Sequence, residues 1–176
     1  FDKTFFSFLQ KNSFNILNKF DSEKIRSIIS KSCKIKLHFV NKDEKEKNER
    51  MILNFGHTFA HAIEAANNYS RKINHGEAVL IGMMLATRLS YLKKICSFDT
   101  LNKIDDLYKN NNLPKSLSDL LKNNSLNKIV NFMVADKKNY DSKINLILLK
   151  KIGQTTKPGK VRISLQEMKK VIVRIS

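Results

Sequence analysis

The chain has 176 residues, 41% of them hydrophobic, which suits one domain of ordinary size with a core of its own. Its 33 Lys and Arg outnumber 16 Asp and Glu, giving a formal net charge of +17, yet the basic residues are spread along the whole chain and no DNA- or RNA-reading motif accompanies them. We therefore expect a solvated basic surface and small anionic ligands, with no nucleic-acid partner and no membrane partner.

The cysteines, the apolar runs and the start of the chain indicate where the protein functions and whether it is part of a longer one. Cys33 and Cys96 lie far apart without CxxC spacing, which predicts neither a disulfide nor a thiolate zinc site and favours a reducing cytoplasm. The longest apolar run, residues 78–86, is about half the length that a membrane span needs. The chain opens inside a helical pattern without an initiator Met or a leader, so we expect it to be cut from a longer protein.

With five Gly and two Pro, the sequence predicts a mainly α fold, a helical bundle with a small β-hairpin near the C-terminus. Residues 4–19 form one or two short amphipathic helices, broken near Asn12 and Ser13. A helix capped by Asp21 and Ser22 follows. Its apolar positions repeat at helical spacing: Ile25, Ile28, Ile29, Cys33, Leu37 and Val40.

A charged stretch, residues 42–50, precedes a third helix over about 50–67 and a polar loop over 67–74. The fourth helix, about 75–94, is apolar on every face in its middle, which predicts the buried centre of the bundle.

The second half of the chain predicts shorter elements. Residues 100–110 and 125–135 are amphipathic helices, with a break at Leu113 and Pro114. Residues 144–149 pair with 161–163 in the hairpin. Ser164, followed by Glu167, resembles a capping box that opens a last helix through Val171.

Four polar residues stand in register on the third predicted helix. At about 100° per residue, Arg50, Asn54, His57 and His61 fall within an arc of roughly 60°. The other faces are apolar, so this polar stripe lies in a helix that favours burial, and buried polar groups need partners. One histidine would be an ordinary core residue. Four polar groups including an Arg indicate instead the wall of a wet, anion-holding cavity.

His57 and His61, at positions i and i+4, could hold one zinc ion together. His75 is a candidate for a third ligand, but on one continuous helix it would lie about 27 Å from His57. We therefore expect the chain to turn back within the loop over 67–74, with Gly76 allowing a close approach. Glu77 either orients an imidazole as a hydrogen-bond acceptor or is a first-turn carboxylate favoured by the helix dipole.

Lys36 lies near the apolar stripe of its helix, so its side chain either extends to solvent along that surface or reaches an anion in a cleft. Lys137 and Lys138, after Asp136, form an ordinary charged turn when read alone. The chain contains no GxSxG, GxGxxG or P-loop motif.

The run NFGHTFAHAIE at residues 54–64, followed by HGEAV at 75–79, resembles the signature of 3-dehydroquinate synthases. Further segments fall in the family's order: Ser32 and Cys33 with Lys36, Asp43 and Glu44, Arg50, Leu113 and Pro114, residues 136–138, and residues 146–153. Ala60 stands where the family usually has Gly.

The resemblance implies a homodimeric cytoplasmic enzyme of the shikimate pathway that uses NAD and a divalent metal, zinc or cobalt. Its substrate would be 3-deoxy-D-arabino-heptulosonate 7-phosphate, a phosphorylated sugar acid, and its products 3-dehydroquinate and phosphate. The implied steps are hydride transfer to NAD, phosphate elimination, hydride return and an intramolecular aldol reaction. The metal would polarise the oxygen on the oxidised carbon.

The resemblance also implies roles for residues. His57 and His75 would bind the metal. The implied catalytic residues, which also bind substrate, are Lys36, Arg50, Asn54 and His61; one of Lys137 and Lys138 would contact the substrate too. His61 would then aid proton movement and phosphate recognition more than metal binding, against the paired-histidine interpretation.

The family's third metal ligand, a Glu, would lie just before Phe1, after an α/β NAD-binding domain. Residues 1–176 would thus be a C-terminal metal- and substrate-binding helical domain, a fragment that is inactive alone. Within the superfamily, another sugar phosphate cyclase or an iron- or zinc-dependent alcohol dehydrogenase stays open. Outside it, a basic nucleic-acid-binding module is an alternative. A purely structural bundle would leave the polar stripe unexplained.

Overall fold

A computed structural model describes residues 2–69, 73–117, 125–135 and 143–176, and helices account for most of them. The α-helices are α1 Lys3–Lys19, α2 Ser22–Lys42, α3 His57–Ala66, α4 His75–Leu92, α5 Phe98–Asn110, α6 Ser125–Ala135 and α7 Leu165–Ile175, and a 3-10 helix spans Glu49–Asn54. The prediction of a mainly α fold is confirmed.

Short antiparallel strands complete the fold near the C-terminus. Strand β1, Lys143–Leu146, pairs with β4, Val161–Ser164, and inside this pair β2, Leu149–Lys151, pairs with β3, Gln154–Thr155. The predicted hairpin is therefore confirmed, with a second small pair within its connection.

Helix α4 is the centre of the bundle, as predicted. It packs against α3, α5 and α7, and half of its residues are buried. Helix α6 covers α3 and α7 from the other side. Asn74 caps α4, because its side chain accepts a hydrogen bond from the backbone N–H of Glu77 at 2.9 Å while Glu77 Oε2 accepts one from the Asn74 N–H at 3.0 Å. The first residue of α4, His75, is thereby fixed in place.

Helices α3 and α4 cross at two glycines. Gly56 precedes α3 with a φ of +83°, a left-handed conformation that favours glycine. A Cβ at Gly56 would lie 2.6 Å from the backbone nitrogen of Met83, and a Cβ at Gly82 would overlap the carbonyl oxygen of Gly56. Ala60, one turn further, is fully buried at the same crossing. This crossing sets the position of His57, the residue that opens α3.

The structure corrects the predicted third helix. The continuous helix over 50–67 is wrong, because the left-handed Gly56 separates the 3-10 helix from α3. The predicted break near Asn12 and Ser13 is also wrong. The Asn12 side chain donates to the carbonyl of Phe8 at 2.8 Å, four residues earlier, and α1 continues through both residues.

Two further expectations need correction. Part of the apolar stripe of α2 faces outward, since Ile29 and Leu37 are 58% and 57% exposed while Phe39 is buried. The last helix, α7, continues past Val171 to Ile175, which is buried against the core. Its predicted capping box is half formed: Ser164 accepts from the Glu167 N–H, but the Glu167 carboxylate pairs with Lys93.

Candidate functional site

The loop between α2 and the 3-10 helix is organised by Asp43. Its carboxylate accepts hydrogen bonds from the backbone N–H groups of Lys47 at 3.0 Å, Asn48 at 2.7 Å and Arg50 at 3.1 Å. Partial desolvation acts to raise the pKa of Asp43, but the three N–H donors and the Arg50 charge outweigh it and hold that pKa below its usual range. A charged Asp43 therefore shapes the turn that presents Arg50.

A cleft of about 510 Å³ lies between α1, α2 and the 3-10 helix. It is lined by Phe5, Ser32, Ile35, Lys36, Glu46, Arg50, Leu53, Asn54 and His57. Of the two alternatives for Lys36, the structure favours the one in which it faces a cleft. The sequence-predicted residues Lys36, Arg50, Asn54 and His57 thus meet in one cavity although they come from three elements.

The cleft is polar and already hydrogen-bonded. The Arg50 guanidinium donates through Nη1 to the carbonyl oxygen of Glu44 at 2.7 Å, and the Asn54 amide donates to Glu46 Oε1 at 2.6 Å. Sequence reasoning missed Glu46, because in the sequence it is one acid within a run of charges. The Glu46 carboxylate accepts the hydrogen bond that the Asn54 amide could otherwise donate to an anionic ligand.

Three imidazoles gather at the start of α3 and α4. The ring centroids of His57 and His75 are 5.9 Å apart, those of His57 and His61 5.7 Å, and those of His61 and His75 6.5 Å. The predicted reversal of the chain between His57 and His75 is therefore present. With Zn–N bonds of about 2 Å, two imidazoles on one ion have centroids roughly 5 Å apart, so a small approach would bring His57 and His75 onto a shared ion.

The hydrogen bonds of these rings favour His57 and His75 as the pair that fits a metal. His75 Nδ1 lies 3.0 Å from Glu64 Oε1, and His57 Nδ1 lies 3.4 Å from the carbonyl oxygen of Phe55. A metal-bound histidine usually directs its second ring nitrogen to a carboxylate or a carbonyl, so both contacts favour Nε2 as the ligating nitrogen. His61 has no hydrogen-bond partner in the part of the chain that the structure describes, and it is exposed.

Glu64, not Glu77, contacts an imidazole. The Glu64 side chain is only 17% exposed, while the His75 side chain that it contacts is 59% exposed. Glu77 is engaged in the cap of α4, which agrees with the second of its two interpretations. The available signal was periodicity, because Glu64 lies three residues after His61 and seven after His57 and so shares their face of α3.

The described residues offer two candidate metal ligands, His57 and His75. Over residues 2–69, 73–117, 125–135 and 143–176, no group of three or more His, Cys, Asp or Glu is arranged to hold a metal ion. These two imidazoles still suit a divalent metal that takes nitrogen ligands, because the Nδ1 atom of each ring contacts an oxygen and Nε2 is left to bind the ion. Lys137 and Lys138, predicted to contact the substrate, lie outside the described residues. Among the described residues, no helix is both long enough and apolar enough to cross a membrane.

The sequence matches a known family over most of its length. Residues 1–139 match the family described as 3-dehydroquinate synthase C-terminal. Curated relatives named 3-dehydroquinate synthase include one from Pelagibacter ubique, 48% identical over 151 residues, and one from Dictyoglomus thermophilum, 44% identical over 156 residues. These alignments cover 86% and 87% of this chain and 41% of each relative.

Solved structures share the fold. A 2-epi-5-epi-valiolone synthase from Streptomyces hygroscopicus with NAD+ and Zn2+ bound aligns with a TM-score of 0.76 at 20% identity, over 97% of this chain and 45% of that one. A 2-deoxy-scyllo-inosose synthase complexed with carbaglucose-6-phosphate, NAD+ and Co2+ aligns with a TM-score of 0.70 at 22% identity, over 88% of this chain and 42% of that one. At these identities the likeness concerns the fold alone.

The chain spans about two fifths of the length of the curated relatives it matches. Its family match covers the polar stripe and both imidazoles that meet at the crossing of α3 and α4. The chain belongs to the 3-dehydroquinate synthase family.

Proposed function

We propose that this chain is the metal- and substrate-binding part of a 3-dehydroquinate synthase that converts 3-deoxy-D-arabino-heptulosonate 7-phosphate to 3-dehydroquinate and phosphate. One observation carries the proposal: the imidazoles of His57 and His75 lie 5.9 Å apart, and His57 also lines the cleft that holds Lys36 and Arg50. The proposed metal position would therefore adjoin the proposed anion-binding cavity. The identities with curated synthases support the same reaction.

The cleft suits a ligand that bears both a carboxylate and a phosphate. Arg50 offers a planar fork that binds either group through two parallel hydrogen bonds, while Lys36 acts as a mobile point charge. The Asn54 amide supplies a neutral donor once a ligand oxygen replaces Glu46. For His61, which is exposed beside both other imidazoles, we propose a role in proton movement at the rim of the site and in phosphate recognition.

The cofactors follow from the family. A divalent metal held by His57 and His75, zinc or cobalt, would supply Lewis-acid polarisation of a substrate oxygen. The role of this chain's residues is to set the orientation of the two rings, with Glu64 and the Phe55 carbonyl holding the Nδ1 atoms. We place NAD in the part of the enzyme that the longer relatives have in addition. A cytoplasmic homodimer of the full enzyme, without nucleic-acid or membrane partners, is part of the same proposal.

We expect the isolated chain to bind metal and substrate but not to catalyse the reaction. Two imidazoles are fewer than the three protein ligands that catalytic zinc sites use. We propose that a Glu and the NAD site come from sequence outside these 176 residues. No 3-dehydroquinate should therefore form when the chain is incubated with substrate, NAD and zinc or cobalt. Steady turnover by the chain alone would refute this part of the proposal.

Substrate binding tests the main proposal directly. Calorimetric titration of the zinc-loaded chain with 3-deoxy-D-arabino-heptulosonate 7-phosphate should give saturable binding that Arg50→Gln weakens about tenfold or more, because a two-bond charged contact is lost. Arg26→Gln is the matched control, since Arg26 is exposed on α2 and lies outside the cleft. Equal weakening by both variants would mean that the effect comes from the overall charge of the chain and not from a contact of Arg50 with the substrate.

A second ligand tests the substrate class. A heptulose phosphate without a carboxylate should bind more weakly than the sugar acid if the cleft reads both anionic groups. Equal affinity would favour another sugar phosphate cyclase. Zinc uptake addresses the remaining alternative: His57→Ala should abolish it, and a nucleic-acid-binding module would show steep salt-dependent DNA or RNA affinity that this change leaves intact.

A further inference from the structure

A second polar cavity lies beside the cleft. It measures about 270 Å³ and is lined by residues that include Lys47, Thr58, Asn145 and Arg162 together with the turn at Pro158 and Gly159. Asn54 lines both cavities and is the single residue that they share among the described lining residues. Lys47 and Arg162 line this cavity and not the cleft.

The fold brings together the backbone segments that carry these polar groups. In the pairing of β1 with β4, Asn145 stands directly opposite Arg162, which places the two side chains on the same face of the hairpin. The hydroxyl of Thr58 on α3 donates to the backbone carbonyl of Asn145 at 3.3 Å and joins the hairpin to the helix. Lys47 lies in the loop that Asp43 organises, where its backbone N–H donates a hydrogen bond to the Asp43 carboxylate.

The charges in the cavity are unbalanced. Its described lining contains two cations and no Asp or Glu. Lys24, Lys93, Lys103, Lys109 and Lys115 each pair with a carboxylate elsewhere in the chain. Neither the Lys47 ammonium nor the Arg162 guanidinium has an ion-pair partner or a side-chain hydrogen bond within the described ranges. Two cations that face one small cavity repel each other, and an anion between them removes that repulsion.

We propose that this cavity is an anion site for a phosphate group, separate from the cleft and joined to it through Asn54. Arg162 would bind two phosphate oxygens in parallel, Lys47 would add a point charge, and the Thr58 and Asn145 side chains would complete the polar wall. The phosphate can come from inorganic phosphate or from the phosphate end of a small sugar acid whose carboxylate stays at Arg50 in the cleft and which extends past Asn54 into the second cavity. Only the second source rests on the proposed function.

Inorganic phosphate tests the site without metal or NAD. In ¹⁵N-edited NMR spectra of the 176-residue chain, phosphate should produce saturable shifts at the amides of Thr58, Asn145 and Gly159. Arg162→Gln and Lys47→Gln should each weaken this binding about tenfold. Lys170→Gln is the control, because Lys170 is exposed on α7 and its change removes the same charge. Equal weakening in all three variants, or shifts that scatter over the basic surface, would overturn the proposal.

The sugar acid phosphate distinguishes the two sources. If the substrate reaches the site, it should shift the same three amides, and Arg162→Gln should weaken its binding while Arg50→Gln weakens it further. If inorganic phosphate shifts these amides and the sugar acid does not bind, the anion site stands while the proposed function fails. If the sugar acid binds with undiminished affinity in Arg162→Gln and phosphate shifts nothing, the anion site fails while the proposed function stands. Unchanged thermal unfolding of the exposed Arg162→Gln variant confirms that it is folded.

Discussion

The backbones of Gly56 and Gly82 meet so closely that a methyl group on Gly82 would occupy the space of the Gly56 carbonyl oxygen. This contact joins the start of α3 to the middle of α4. It also sets the distance between His57, next to Gly56, and His75, two turns before Gly82 on α4. The geometry of the imidazole pair thus depends on two residues that have no side chain.

Gly82→Ala should destabilise the fold by about 1–3 kcal/mol, because the added methyl forces the two backbones apart. Gly56→Ala should cost more, since it adds a left-handed φ of +83° to the overlap. Urea unfolding followed by circular dichroism measures both changes. Gly159→Ala is the matched control: its φ is +72°, but nothing lies within 4 Å of the added Cβ. If Gly56→Ala costs no more than Gly159→Ala, the close crossing is wrong.

Glu64→Gln should weaken zinc binding by about 10–100-fold, the range for loss of a carboxylate that orients a metal-bound histidine. The physical reason is the 3.0 Å contact of Glu64 with His75 Nδ1, which aligns the ring and increases its basicity. Competition with a chromophoric chelator measures the affinity. His75→Ala gives the lower limit of binding, against which the effect of Glu64→Gln is scaled.

Glu77→Gln is the control for Glu64→Gln, because it makes the same change of charge one turn into α4. Glu77 contacts the backbone of Asn74 and no imidazole, so we expect a small loss of helix stability and zinc affinity close to that of the unchanged chain. The opposite ranking of the two variants would show that Glu77 is the residue that orients the ring.

Tyr108→Phe should lower the free energy of unfolding by about 1 kcal/mol near neutral pH, because the Tyr108 hydroxyl donates to the Leu80 carbonyl at 2.8 Å. Burial raises the pKa of this phenol above its usual value of 10.0. Above about pH 10, the folded chain therefore keeps the phenol neutral while the unfolded chain ionises it. Stability from Tyr108 is therefore present below about pH 10 and is lost as the pH rises above it. Urea unfolding between about pH 8 and pH 11 should show the two curves converging. Tyr91→Phe, at a tyrosine that is 44% exposed, should lower the free energy of unfolding less than Tyr108→Phe near neutral pH.

Asp43→Asn should lower the Tm and weaken ligand binding in the cleft severalfold, because an amide cannot accept all three N–H bonds that the carboxylate accepts. The pKa of Asp43 is depressed in the fold, so its contribution is present above the ordinary carboxyl range and is lost as the pH falls through the depressed pKa. Thermal unfolding at about pH 7 and about pH 3 should show the advantage of Asp43 over Asn shrinking with acid. Asp99→Asn, which removes an exposed helix pair with Lys103, should change little at either pH.

The helices were largely predictable from the sequence, because apolar spacing and caps report local structure. Three residues of the predicted polar stripe line one cleft, whereas His61 is not among the described lining residues, and the continuous helix predicted to carry all four is wrong. Arg50 and Asn54 lie on a 3-10 helix and His57 on α3, yet all three line the cleft. A left-handed glycine interrupts a helix without altering the apolar period, so periodicity alone could not reveal the break at Gly56.

Contacts between separate segments were the least predictable part of the site. Glu46 and Glu64 acquire their roles from partners, Asn54 and His75, that lie eight and eleven residues away along the chain. The exposure of Ile29 and Leu37 was equally hidden, because an apolar stripe indicates which residues share a face and leaves open what covers that face. Contacts such as these depend on how separate elements pack, which a single sequence records only indirectly.

The cleft gathers its groups from two layers of the fold. Lys36 belongs to α2, which packs mainly on the 3-10 helix and α1, whereas His57 belongs to the tightly packed α3 and α4 pair. A ligand bound between them would contact both layers and so stabilise the packing of the outer helices on the inner ones. Ligand binding should then slow amide hydrogen exchange along α2, including at residues that the ligand does not touch.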